Sequence, residues 1–183
     1  GGPKQYRFIG GRPVIWHALA AFAGHSAVGR IVVVIHPDDE ARFAVAAGAF
    51  AAGVSVVHGG ATRQASTLAG LRALAGSDCT TVLIHDAARP FVDAGLIDRM
   101  IAAAADRSAL PALAVSDTLR RRSSDSAALQ IVPRDGLFAA QTPQAFPFRA
   151  ILEAHEAAQA AGRHDFTDDA AIAEWAGLPV DIV

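Results

Sequence analysis

An aspartate and an arginine follow a short apolar run in the middle of the chain. The run is residues 80–84, the charged residues are Asp86 and Arg89, and Pro90 comes next. β-branched apolar runs are typical of strands buried in a parallel sheet, and such sheets bind ligands beyond the carboxyl ends of their strands. There, the carboxylate could hold a metal ion and the guanidinium a phosphate. Alternatively, Asp86 caps the next turn and Arg89 forms a surface ion pair.

A second candidate site is the segment that contains Gly59, Gly60, Arg63 and Ser66. Glycines let the backbone approach a ligand closely, and a helix that begins near Arg63 offers free amides to an anion or a base edge. An arginine in the first turn of a helix interacts unfavourably with the helix dipole. Such an unfavourable residue near a proposed cleft indicates a functional role. The alternative is a Thr62 cap followed by a solvated arginine. The spacing matches neither a Walker sequence nor GxGxxG.

Other polar residues have simpler explanations when each is taken alone. Lys4 is a single lysine in a loop, where a solvated side chain is the ordinary outcome. Asp168 and Asp169 follow Thr167 and are expected to be first-turn acids of a helix. The histidines show no metal-ligand spacing. His85 is therefore expected to orient the loop before Asp86 rather than to bind a metal.

These candidates follow strands in a chain that alternates between strand and helix. The expected helices are residues 13–23, one starting near 37, 63–74, 94–105, 147–161 and a short one after 167. The expected strands are residues 30–35, 54–57, 80–84, 110–115 and 179–183. The alternation predicts an α/β fold with a Rossmann-like, doubly wound, mostly parallel sheet. We find no domain boundary and expect a single domain over residues 1–183.

A polar hairpin interrupts this alternation at about residues 117–137. Residues 117–122 and 129–134 have the pattern of two strands around a turn rich in serine and aspartate. A two-stranded hairpin buries little apolar surface and is marginal alone. We therefore expect this β-arm to pack on another subunit, which predicts a homodimer.

The composition narrows the class of protein. The chain has 183 residues, of which 52% are apolar, and a net charge of −2. These values are typical of a soluble globular domain and give no electrostatic footprint for nucleic acid. Apolar windows are interrupted by polar residues, and residues 1–6 lack a signal-peptide core, so no membrane association is expected. Cys79 is the only cysteine, which fits a reducing cytoplasm.

Several short motifs together resemble one family. In order they are Pro3-Lys4-Gln5-Tyr6, Gly59-Gly60 with Arg63 and Ser66, His85-Asp86-Ala87-Ala88-Arg89-Pro90, Asp117-Thr118, Arg134-Asp135-Gly136-Leu137, Gln141-Thr142-Pro143-Gln144-Ala145-Phe146 and Thr167-Asp168-Asp169. Each motif alone is weak, but the ordered set resembles the 2-C-methyl-D-erythritol 4-phosphate cytidylyltransferase family of the non-mevalonate isoprenoid pathway. The resemblance implies transfer of CMP from CTP to 2-C-methyl-D-erythritol 4-phosphate, with release of pyrophosphate.

The resemblance also implies roles for individual residues. The implied catalytic residues are Lys4, Asp86 and Arg89, with Asp86 holding Mg²⁺. The implied nucleotide-binding residues are Gly59, Gly60, Arg63, Ser66 and Ala87. The implied acceptor-binding residues are Arg89, Asp117, Thr118, Arg134 and Thr142. In the family, the arm that carries the residues matching Thr118 and Arg134 reaches the partner subunit's site.

The sequence also departs from the family pattern. The family opens with a strand and a glycine-rich loop that wraps the triphosphate, and it has a lysine near its C-terminus; both are absent from this sequence. Ala61 stands where some relatives have an acid. Some bacterial relatives are fused to the cyclodiphosphate synthase of the pathway, and this chain could be the first part of such a fusion. Two alternatives stay open: a cytidylyltransferase for another polyol phosphate such as ribitol 5-phosphate, and a catalytically silent interaction domain.

Overall fold

A computed structural model describes residues 2–122 and 128–183 of the chain. The helices in these residues are α1 (Val14–Ala23), α2 (Glu40–Ala47), α3 (Arg63–Leu74), α4 (Ala94–Ala103), α5 (Phe148–Ala160) and α6 (Asp169–Trp175). The strands are β1 (Phe8–Ile9), β2 (Arg12–Pro13), β3 (Val32–Ile35), β4 (Ser55–His58), β5 (Thr81–Ile84), β6 (Ser108–Leu110), β7 (Ala112–Ala114), β8 (Leu119–Arg122), β9 (Leu129–Val132), β10 (Phe138–Ala140), β11 (Gln144–Pro147) and β12 (Val180–Ile182). Within the described part of the chain, every helix is too short or too polar to cross a membrane.

The sheet has two parts in the described residues. β3 and β4 form a parallel pair. Four other strands lie side by side in the order β12-β6-β11-β5, with β12 parallel to β6 and β11 antiparallel to both of its neighbours. The predicted α/β class is confirmed, with one antiparallel strand, β11, inside the sheet.

One predicted strand is wrong. The run 110–115 was expected to be one strand, but the structure has β6 and β7 on either side of Pro111. Proline has no N–H to donate to a ladder, so it is a natural break between strands. As a result, β6 joins the central sheet while β7 pairs with β10 in a separate antiparallel ribbon.

Helices pack on both parts of the sheet and bury the apolar core. α3, α5 and α6 surround Phe146 of β11, and the cluster includes the buried Leu71, Ile151 and Ile172. α1 and α2 pack on β3 in a second cluster. Both clusters belong to elements that end near the candidate loops, so the core fixes where those loops begin.

A cleft of about 740 Å³ separates β3 from β5. Its walls include residues 32–34 and residues 81–84, and α1 and α3 contribute Leu19 and Leu71. In residues 2–122 and 128–183, β3 pairs only with β4, and β5 pairs only with β11. Each strand therefore turns one open edge toward the cleft. The β5 side chains are also less buried than the sequence predicted, since Val82 is buried and Thr81, Leu83 and Ile84 are only partly buried.

The predicted β-arm is confirmed as a hairpin. β8 and β9 are antiparallel, with Leu119 opposite Val132 and Arg122 opposite Leu129. The serine- and aspartate-rich turn predicted between them lies outside the described residues. The arm exposes apolar side chains, including Ile131 at 66% of its surface.

Candidate active site

In the loop before α3, the backbone at Gly59 and Gly60 packs directly against the first turn of the helix. A Cβ atom added to Gly60 would lie 2.6 Å from the Cβ of Ala65, and one added to Gly59 would lie 2.6 Å from the Oγ of Ser66. The backbone N–H of Gly60 donates to Ser66 Oγ over 3.1 Å. Thr62 caps α3 by accepting from the Ala65 N–H, as the alternative for this segment expected. The glycines are thus required by packing inside the loop, whatever the ligand.

Asp86 lies between two guanidinium groups. Its Oδ2 accepts a hydrogen bond from Arg89 Nε over 3.2 Å, and its Oδ1 lies 3.8 Å from Arg63 Nε. The Asp86 side chain is 41% exposed, so the carboxylate still faces solvent. Arg89 also donates to the side chain of Gln141. One carboxylate and two cations therefore share the end of β5.

His85 and Thr142 hold the backbone of this loop. His85 Nε2 lies 2.9 Å from the carbonyl oxygen of Arg89, which can only accept, so Nε2 carries the proton. Nδ1 then accepts from the Thr142 hydroxyl over 3.0 Å, and that hydroxyl accepts from the Asp86 N–H over 3.2 Å. Burial lowers the pKa of His85 and keeps the ring neutral, in agreement with this pattern. His85 thus orients the loop, as predicted.

Asp169 is a site residue that sequence reasoning missed. It was expected to be a first-turn acid, and it does stand in the first turn of α6, where Asp168 is the cap. However, its side chain is fully buried and accepts from Arg63 Nη2 over 2.6 Å and from His155 Nε2 over 3.1 Å. The signal in the sequence was Arg63, because a cation in a first turn calls for a nearby anion.

The hydrogen bonds and charges around Asp169 and Arg63 explain the pKa shifts of these two residues. Burial alone would raise the pKa of Asp169, but the hydrogen bonds from His155 and Arg63 outweigh it and lower that pKa. Burial would likewise lower the pKa of Arg63, and the hydrogen bond and charge of Asp169 raise it instead. Both groups are therefore charged at neutral pH.

The structure brings some of the predicted site residues together. Arg63, Ser66, Asp86 and Ala87 all line the cleft between β3 and β5. Arg89 and Thr142 join the group through their hydrogen bonds to Asp86. The loops after β4 and β5 thus meet at one cleft, as the strand-end argument predicted.

Other predicted residues are not bonded to this group within the described part of the chain. Lys4 stands in a short 3₁₀-helix, with an exposed side chain that has no hydrogen bond or ion pair to any described residue. Asp117 and Thr118 are exposed before β8, and Arg134, beyond β9, donates to the backbone carbonyl of Ser116. Among the described residues, no hydrogen bond or ion pair joins Lys4, Asp117, Thr118 or Arg134 to the Asp86 loop.

The whole chain matches one known protein family. Residues 1–183 match the family model described as IspD: 2-C-methyl-D-erythritol 4-phosphate cytidylyltransferase. The chain belongs to this family. The family resemblance drawn from the ordered motifs is therefore confirmed.

Curated relatives in the cytidylyltransferase family are longer than this chain. It is 55% identical over 183 residues to the bifunctional enzyme IspD/IspF of Chelativorans sp., covering 100% of the chain and 45% of that protein. It is 57% identical over 187 residues to the protein of the same name from Rhizobium leguminosarum, covering 100% of the chain and 46% of that protein. The chain thus spans about half the length of these relatives.

Solved structures in the family share the fold. The 2-C-methyl-D-erythritol 4-phosphate cytidylyltransferase of Thermus thermophilus superimposes with a TM-score of 0.82 at 36% identity, covering 100% of this chain and 84% of that chain. The bifunctional IspDF of Campylobacter jejuni gives a TM-score of 0.76 at 26% identity, covering 98% of this chain and 44% of that one. The predicted Rossmann-like fold is confirmed by these likenesses.

Proposed function

We propose that the protein transfers CMP from CTP to 2-C-methyl-D-erythritol 4-phosphate. An oxygen of the acceptor's phosphate forms a bond to the α-phosphorus of CTP. The bond from that phosphorus to the bridging oxygen of the β-phosphate breaks, and pyrophosphate leaves with the electron pair. The observation that carries the proposal is the convergence of Asp86, Arg63 and Arg89 at the end of a cleft beside the glycine loop.

Phosphoryl and nucleotidyl transfer depends on positioning and charge neutralisation more than on covalent help from the protein. Two guanidinium groups beside the reacting phosphates neutralise negative charge and fix geometry. The proposed nucleotide-binding residues are Gly59, Gly60, Arg63, Ser66 and Ala87. Lys4 is proposed to neutralise charge that develops on the α-phosphate, and its free, exposed ammonium group supports this.

Mg²⁺ is the proposed cofactor, and the donor set at Asp86 fits it. Within residues 2–122 and 128–183, no group of three or more His, Cys, Asp or Glu side chains could hold a metal. Mg²⁺ is usually bound by one or two carboxylates together with water and substrate phosphates, so a single half-exposed aspartate suits it. When bound, the ion would neutralise charge on the triphosphate. Arg63 and Arg89 hold the Asp86 carboxylate in place for it.

The acceptor is proposed to bind through Arg89, Asp117, Thr118, Arg134 and Thr142. Arg89 is beside Asp86, whereas Thr118 and Arg134 lie on the β-arm, just before β8 and just beyond β9. The hydroxyl of Thr142 already bonds to His85 and to the Asp86 backbone, leaving it one lone pair for a ligand. Thr142 therefore also positions the loop that it is proposed to share with the acceptor.

We propose that the β-arm forms a homodimer with a second copy of the chain. Leu129 and Ile131 lie on the same face of β9, opposite Arg122 and Arg120 of β8, and both apolar side chains are largely exposed. A hairpin with exposed apolar residues is marginal alone, and burying them on a partner stabilises it. Sedimentation of the full-length protein tests this: a monomer, or an Ile131→Asp variant that remains a dimer, would contradict it.

We propose that the single domain is completed by an extended segment from outside residues 1–183. In the described residues, the open edges of β3 and β5 face each other across the cleft, whose walls include apolar side chains from both strands. A strand there would satisfy the backbone groups of both edges. The matched Thermus structure is also longer, since this chain covers 84% of it. A longer polypeptide whose structure leaves the cleft open would overturn this.

The proposed reaction is tested by offering the full-length protein CTP and Mg²⁺ with each of two acceptors. We expect pyrophosphate release with 2-C-methyl-D-erythritol 4-phosphate and much less with ribitol 5-phosphate. Preference for ribitol 5-phosphate would contradict the proposed acceptor and favour a cytidylyltransferase for that polyol phosphate. Absence of pyrophosphate with both would favour a silent interaction domain. We propose a cytoplasmic location, in keeping with the single, unpaired Cys79.

A further inference from the structure

A chain of hydrogen bonds links the buried side of α5 to the mouth of the cleft. It runs from His155 of α5 to Asp169 of α6, and from Asp169 to Arg63 at the start of α3. Beyond Arg63, the next charged group is Asp86, 3.8 Å from the guanidinium Nε. Three helices thus meet through their side chains, and α3 is far in sequence from the other two.

Both oxygens of the Asp169 carboxylate accept hydrogen bonds in this network. One oxygen accepts from Arg63 and the other from His155, and its side chain is 0% exposed. A carboxylate only accepts, so His155 Nε2 must carry its proton. Among the described residues, the other ring nitrogen of His155 has no hydrogen-bond partner although it is buried. The Asp169 carboxylate is therefore the one polar group in the described structure that orients the His155 ring.

The start of α6 does not depend on Asp169. Asp168 caps the helix by accepting from the Ala171 N–H over 2.9 Å. The buried Gln144 donates to Asp168 and accepts from the Ala170 N–H, each over 2.9 Å. The helix terminus thus has its own set of bonds, and the carboxylate of Asp169 is left for Arg63 and His155.

The ion pair between Arg63 and Asp169 contributes little net stability to the fold. Burying a carboxylate loses its hydration, and well-packed apolar residues are often at least as stabilising as a buried ion pair. Arg63 also stands in the first turn of α3, where the helix dipole disfavours a cation. The arrangement does fix the orientation of the Arg63 guanidinium: one side is bonded to the buried Asp169, and its Nε faces Asp86. The Arg63 side chain is 40% exposed, so it can still reach a ligand.

We propose that Asp169 and His155 are positioning residues that hold the Arg63 guanidinium toward bound CTP. This inference rests on the proposed function, since it assigns the pair a role in binding that function's nucleotide. Asp169 fixes the guanidinium, and His155 fixes Asp169. Neither residue needs to touch the nucleotide.

A double-variant cycle in the full-length protein tests the inference. The variants are Asp169→Asn, Arg63→Ala and the two combined, and the measurements are CTP affinity by calorimetry with Mg²⁺ and the KM and kcat for CTP. We expect Asp169→Asn to weaken CTP binding by about 10- to 100-fold, because small displacements of positioning groups have effects of that size. We expect the combined variant to bind CTP no worse than Arg63→Ala alone, because Asp169 acts through Arg63.

Asp168→Asn is the matched control, because asparagine is an equally good cap and Asp168 acts on Arg63 only through its charge, with no hydrogen bond to it among the described residues. CTP affinity in this control should stay close to wild type. Losses that add in the combined variant, or normal CTP binding by Asp169→Asn, would overturn the inference. If circular dichroism shows that Asp169→Asn does not fold, the same cycle with His155→Phe decides by the same criterion. A wild-type protein that binds no CTP would instead overturn the proposed function, and the inference with it.

Discussion

Arg63 Nη2 donates a hydrogen bond to Asp169 over 2.6 Å, although the two residues are 106 positions apart in the chain. The bond joins the first turn of α3 to the first turn of α6, and Arg63 Nε lies 3.8 Å from Asp86. A group from the C-terminal part of the chain therefore sets the position of a cation in the glycine-loop segment. The candidate site is consequently assembled only when both parts of the fold are packed together.

Asp86→Asn should abolish metal-dependent turnover and leave the fold intact. We expect kcat/KM to fall by at least about 100-fold, because metal charge stabilisation is worth several kcal/mol. The free energy of unfolding should change by less than about 1 kcal/mol, because this half-exposed carboxylate lies in screened ion pairs. Pyrophosphate release against Mg²⁺ concentration and thermal melting measure the two effects. Asp38→Asn, on an exposed side chain, is the control, and near-normal rates for Asp86→Asn would refute the metal role.

Arg134→Ala should weaken acceptor binding more than CTP binding. We expect the KM for 2-C-methyl-D-erythritol 4-phosphate to rise by about tenfold or more, because a hydrogen bond to a charged group contributes about 1.5–3 kcal/mol. The KM for CTP should change little. Arg121→Ala, on the same arm, is the matched control for loss of an exposed arginine. Equal losses for both substrates in steady-state kinetics would contradict the proposed role of the arm.

Gly60→Ala should distort the loop before α3. The new Cβ would lie 2.6 Å from the Cβ of Ala65, so one of the two segments must shift. Overpacking of this kind costs about 1–3 kcal/mol, and we expect both thermal stability and CTP affinity to fall. Gly53→Ala is the control, because among the described residues no atom other than those of Gly53 and its chain neighbours lies within 4 Å of the position its Cβ would take. If both variants bind CTP equally well, close packing at Gly60 is not needed for the nucleotide.

Asp169→Asn should make stability less dependent on acidic pH. The folded-state pKa of Asp169 is lowered, so its contribution is fully present above the unfolded value near about 3.9 and is lost as the pH falls through the folded pKa. Asparagine does not titrate at this position. We expect the variant to lose about 1–3 kcal/mol at pH 7, the size of a hydrogen bond to a charged group. Urea unfolding between pH 7 and pH 3 measures this. An acid dependence identical to that of wild type would mean that Asp169 is not held ionised by the fold.

Elements with strong local signals were predictable from the sequence. The helix 63–74 was predicted with its observed bounds, because Thr62 is a good cap and marks where the helix starts. The strand 110–115 was not predicted correctly. Its apolar pattern continues through Pro111, whereas the backbone pairing of the strand stops there. Local pattern thus identifies elements, but which strands pair is decided by the whole sheet.

The candidate site was predictable where it follows strand ends. Asp86 and the glycine loop meet as the α/β rule requires, whereas the pairing of Asp169 with Arg63 depends on how α6 packs against α3. No spacing in the sequence encodes that contact. The only local sign was a cation in an unfavourable first turn, a conflict that needed an anion from elsewhere.

In the described residues, β3 and β5 each leave one strand edge open beside the cleft, which has a consequence for handling residues 1–183 in isolation. Unpaired edges of β-branched strands are templates for strands from other molecules. Expressed alone, this segment should self-associate beyond the proposed dimer as its concentration rises, through the edges of β3 and β5. Its solubility should then respond to a lysine introduced at Thr81, a polar position of β5 that lines the cleft, as charged residues on strand edges discourage aggregation.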